Sequence, residues 1–146
     1  ERIVFSGKAK EPVKLIVYDF DLAEVDRIEL APALKNTGPL YPAGEGRFIG
    51  SYERPEDTKH VLYLYDLATK KIVTSIEMDA PPGALSYRAA DGTHWMAVGD
   101  LLNRVDVKNL KLTPVARLTR RINQPVWSGR TLFGRAGGEL LKVAVP

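Results

Sequence analysis

No cysteine occurs in the 146 residues. That excludes disulfides, thiolate metal sites and a cysteine nucleophile, and it leaves the compartment open. Histidine occurs only twice, at positions 60 and 94. The two fall in different parts of the chain, so a zinc site would need further ligands that no cysteine can supply. No apolar run reaches eighteen residues, so nothing reads as a membrane-spanning helix. There is no Gly-x-Ser-x-Gly elbow and no glycine-rich loop leading from a strand into a helix. Convincing amphipathic helices are missing too. The best apolar run for one, residues 22–34, contains Ala31-Pro32 and alternates as a strand does. Acid is absent from residues 107–138.

The chain is 45% hydrophobic and 27% charged. These are ordinary values for a domain long enough to bury one core. It opens on ERIVFSGKAK, with neither an initiator Met nor a signal peptide. This reads as a trimmed chain, or as one that starts partway through a larger fold.

The chain repeats itself. Tyr18-Asp19 in LIVYDFDLAE recurs as Tyr65-Asp66 in LYLYDLAT and as Val105-Asp106 in LNRVDVKNLK; Val143-Ala144 holds the matching place in LLKVAVP. The spacings are 47, 40 and 38 residues, the size of a four-stranded unit. A second strand follows each of the first three anchors, at 25–31, 72–79 and 112–119. A third follows at 38–42, 84–88 and 125–129, and a fourth at 47–52, 94–100 and 131–136. Turns carrying glycine join the third to the fourth. Residues 2–7 match a fourth strand.

Fourteen short strands at this period resemble a β-propeller, of the broad class that includes WD40 and YVTN-type repeats. The phrasing YDLATKKIVTSIEM is similar to the propeller subunits of bacterial amine dehydrogenases. The Trp-Asp of WD40 blades is Tyr-Asp, Tyr-Asp and Val-Asp here, and the opening Gly-His is missing, so the YVTN or quinoprotein-like style is closer. The fold expected is all-β, in propeller blades of four antiparallel strands: a strand pair over 1–21, then blades over about 22–69, 70–109 and 110–146. The alternative is a sandwich or barrel of the same strands, and the even spacing favours blades. The aromatic and Met residues Tyr41, Tyr87, Trp95, Met96 and Trp127 hold equivalent strand places, which points to packing between blades.

Three and a half blades cannot close a ring, and an open array leaves two apolar faces in water. The expectation is a partial propeller completed by another protein chain or by a second copy, with two copies making seven blades. An open sheet packed on a different domain is a third arrangement.

The acid-free stretch holds Lys108, Lys111, Arg117, Arg120, Arg121, Arg130 and Arg135. With a net charge of +3 overall, the rest of the chain is net negative. Arg117, Arg120, Arg121 and Arg130 are the candidate binding residues for an acidic partner, because guanidinium donates to carboxylates in a fixed fork. The competing reading is a set of solvated loop charges or ion pairs. Nucleic acid is disfavoured, since only Trp127 and Phe133 lie among the arginines. Asp19, Asp21, Glu24 and Asp26 form an Asp-x-Asp stretch, yet they lack the glycine and downstream Glu of an EF-hand loop. At a strand end such an Asp more often caps a turn through the backbone. No metal, cofactor or membrane partner is expected. The function expected is a non-catalytic scaffold or protein-binding surface. The alternative, implied by the amine dehydrogenase resemblance alone, is the propeller part of a periplasmic redox enzyme subunit.

Overall fold

The computed structural model describes residues 3–6, 14–18, 21–29, 38, 40–54, 56–85 and 93–145. Among them are fourteen strands and no helix. The strands form four antiparallel sheets, none closed on itself. The first holds β1 (Ile3–Ser6), β2 (Lys14–Tyr18) and β3 (Glu24–Glu29). The second holds β4 (Tyr41–Gly44), β5 (Arg47–Glu53), β6 (His60–Asp66) and β7 (Lys71–Met78). The third holds β8 (Pro82–Leu85), β9 (His94–Val98), β10 (Leu101–Asp106) and β11 (Lys111–Arg117). The fourth holds β12 (Asn123–Ser128), β13 (Thr131–Ala136) and β14 (Glu139–Ala144). In each sheet, neighbours in sequence are neighbours in space.

The strands therefore group as three, four, four and three, where the repeat spacing groups them as two followed by three fours. A period sets the length of a repeat and leaves open which strand begins a sheet. The anchor strands β6 and β10 sit inside their sheets, each flanked on both sides. β14, the matching strand of the fourth sheet, has only β13 beside it among the described residues.

Proline confirms which strands are edges. Pro42, Pro82, Pro114 and Pro125 lie in β4, β8, β11 and β12, each the first or last strand of its sheet. A residue without an N–H cannot serve a central ladder, and on an edge it blunts unwanted pairing. The interior strand β6 is the opposite case: Val61, Leu62, Tyr63, Leu64 and Tyr65 are all buried, so both its faces are covered.

The turns obey hairpin chemistry. Glu45 and Gly46 join β4 to β5 with φ of 52° and 72°, the double positive φ of a type I′ turn. Asp66 and Asp106 end their strands by capping the turns that follow. Asp66 Oδ1 accepts the Thr69 N–H at 2.9 Å, and Asp106 Oδ1 accepts the Lys108 N–H at 2.9 Å. These anchor aspartates thus have a turn-capping role.

The chain divides after Met78 into two units, Glu1–Met78 and Asp79–Pro146. In the second unit the third and fourth sheets share one core. Trp95, Ala97 and Leu102 of the third sheet pack with Leu132 of β13, and Leu118, Ile122 and Val145 close the cluster. Trp127, Leu141 and Val143 add partly buried apolar surface from the fourth sheet.

Candidate functional site

The same alternation that sends Trp127, Leu132 and Val143 into the core sends their neighbours to the other face of the fourth sheet. Val126 is paired with Phe133, and Phe133 with Lys142, so these three form one row across the sheet. Arg135 is paired with Leu140 in the next row. Val126 is 63% exposed and Leu140 is 74% exposed. Arg135 and Lys142 are exposed, and Phe133 is half-buried. This face combines apolar side chains with two cations and no acid in those rows.

The four arginines singled out by charge do not share one place. Arg117 ends β11 and places Nη1 2.6 Å from Asp100 Oδ2. Arg120 places Nη1 3.0 Å from Glu139 Oε2. Both acids lie outside the acid-free stretch. Both pairs are solvent-exposed, so each contributes little to stability. Arg130 sits in the β12–β13 turn, exposed, and its carbonyl accepts the Val145 N–H at 2.9 Å. Arg121 is exposed and lines a cleft of about 120 Å³ within the second unit. Among the described residues no acid pairs with Arg121 or Arg130.

That cleft escaped the sequence reading. Pro81, Pro82 and Gly83 wall it on one side, Ile122, Asn123 and Pro125 on the other. It exists because β8 and β12 meet closely. A Cβ at Gly83 would lie 2.8 Å from Pro125 Cγ and 2.9 Å from the Ala97 carbonyl oxygen. The signal available in the sequence was Ala80-Pro-Pro-Gly83 and Asn123-Gln-Pro125, two proline segments opening equivalent strands.

The remaining candidates are dispersed. Glu24 is bound to Arg27 by a two-point ion pair, 2.8 and 2.7 Å, which holds its carboxyl below the usual range. Asp21 is exposed, and Asp19 lies outside the described residues. His60 opens β6 and His94 opens β9. Among the described residues no three His, Asp or Glu side chains converge as metal ligands. Tyr87 also lies outside the described residues, whereas Trp95 and Met96 are buried in β9.

Compared with protein-family models and with curated proteins, the chain matches none. The reading of its function therefore rests on its own repeat and geometry.

Proposed function

We propose that this chain is a β-propeller segment that works without catalysis, as a scaffold and protein-binding surface, and that the uncovered face of its fourth sheet receives an adjoining sheet. The observation that carries this reading is the row Val126–Phe133–Lys142 with Leu140 and Arg135 beside it. Two large apolar side chains left mostly in water on one sheet face, next to cations, have the make-up of an interface: an apolar centre with a polar rim.

Charge complementarity favours a second copy as the occupant. β3, Glu24–Glu29, holds three acids in EVDRIE against one arginine. It belongs to the first sheet, at the other end of the repeat. The basic face of the fourth sheet of one copy meeting the acidic β3 of another is a head-to-tail contact, which closes into a ring when the rotation between copies returns on itself. Two copies bring eight sheets in place of seven blades, within the four to eight of known propellers.

Light scattering on the 146-residue chain across a hundredfold concentration range tests this. The expected result is a mass that rises from 16.2 kDa toward twice that value. A cooperatively folded monomer at every concentration overturns it.

A further inference from the structure

We infer that the cleft beside Arg121 holds the carboxylate of an acidic side chain presented by a bound protein segment. The inference rests on the protein-binding reading above and names what one part of the surface recognises.

Size sets the first limit. Sites for drug-sized ligands and cofactors run to roughly 300–1,000 Å³. This cleft, at about 120 Å³, suits the end of one side chain. Donor chemistry sets the second. Proline has no N–H, so Pro82 and Pro125 offer a ligand apolar ring surface and no backbone donor. Among the lining residues, those whose side chains carry hydrogen-bond donors are Arg121 and Asn123. No acid lines it. A cation would be repelled by Arg121, and a neutral group would gain only an uncharged acceptor's weaker hydrogen bond from it. A carboxylate satisfies the guanidinium through two parallel N–H···O bonds. Its methylenes then lie on Pro82, Pro125 and Ile122. A phosphate dianion fits less well, because Arg121 supplies a single positive charge against two negative ones and Pro82, Pro125 and Ile122 offer its oxygens no donor side chain.

Arg121 also has its charge to spare. Arg117 and Arg120, its near neighbours in sequence, are engaged by Asp100 and Glu139. Among the described residues no acid engages Arg121. The close approach of Gly83 to Pro125 fixes the cleft walls on two strands. Arg121 lies two residues before β12 and is followed by Ile122, which is buried in the core of this unit.

The test is a titration of the whole chain with capped tetraglutamate, followed by amide resonances. Capped tetraglutamine and inorganic phosphate at matched ionic strength are the controls. The expected result is saturable shifts at the Gly83 and Ile122 amides with tetraglutamate alone. Arg121→Gln should weaken binding about tenfold or more, the loss of a charge-assisted pair. Arg117→Gln should change it less than about twofold. Shifts absent from Gly83 and Ile122, equal weakening by both variants, or phosphate acting as strongly as the peptide would each overturn the assignment. Light scattering is a separate readout. A monomer that still shows the titration loses the ring and keeps the cleft, and a dimer with no shifts does the reverse.

Discussion

Glu45 sits between Gly44 and Gly46, and all three have positive φ, at 81°, 52° and 72°. A side chain in the left-handed region costs roughly 1–2 kcal/mol, and asparagine tolerates that region best after glycine. Asn-Gly is also the pair that type I′ hairpins select. Glu45→Asn should therefore stabilise the protein by about 0.5–1 kcal/mol, read as a higher urea midpoint at unchanged slope. Gly50 shows the opposite constraint. It faces Tyr63 across the β5–β6 ladder, and a Cβ there would run into the Tyr63 ring and lie 2.8 Å from Leu40 Cδ2. Tyr63 is fully buried, and burial raises its hydroxyl pKa. The ring is packed on its other side as well: its centroid lies 6.0 Å from that of Tyr52. Gly50→Ala should cost about 1–3 kcal/mol, the usual penalty of overpacking. A melt that does not move would show that the ring swings aside.

At the scale of the element, the turns after β6 and β10 depend on an ionised aspartate. The Asp66 carboxyl is held below its ordinary range by the Thr69 backbone N–H first and by Arg47 next. Asp106 is lowered by Asn109, through its side chain and then its backbone. Asp57, gripped by Arg54, is lowered to about 2. A depressed carboxyl contributes stability above its unfolded pKa of about 4 and loses it as pH falls through the folded value. The urea midpoint should hold from pH 6 to about 4 and then fall toward pH 2; Asp57→Asn and Asp66→Asn should each flatten that fall. Capping was expected of an Asp at an anchor-strand end from the Asp19 stretch; Asp19 lies outside the described residues, and Asp66 and Asp106 are where such caps are seen. The strands were legible from alternation and glycine turns, and TLFGRA, residues 131–136, matches β13 residue for residue. Sheet boundaries were not. Sequential antiparallel strands look alike whether the next one pairs or departs, and only the prolines of the edge strands mark the difference. The cleft was hidden for a related reason: it is made by the approach of β8 to β12, some forty residues apart in sequence.

For the molecule as a whole, the issue is what two exposed apolar side chains on one sheet face contribute. Val126 and Leu140 are left mostly in water in the isolated chain, so replacing them with small polar residues should leave folding within about 0.5 kcal/mol. In an assembly each would bury surface worth about 1.5–3 kcal/mol. Val126→Thr with Leu140→Ser should therefore weaken self-association by about a hundredfold or more while the melting curve stays in place. Leu132→Ala is the contrasting variant: its side chain is fully buried between the third and fourth sheets, and its loss should cost about 2–5 kcal/mol of folding. Salt separates the two possible geometries. If the basic face of one copy meets the acidic β3 of another, screening removes attraction, and raising salt from 50 to 500 mM should loosen the dimer several-fold. If two basic faces met each other, Arg135 and Lys142 would repel their counterparts, and the same salt would tighten it. A dimer that tightens with salt would rule out the head-to-tail ring even though the chain associates.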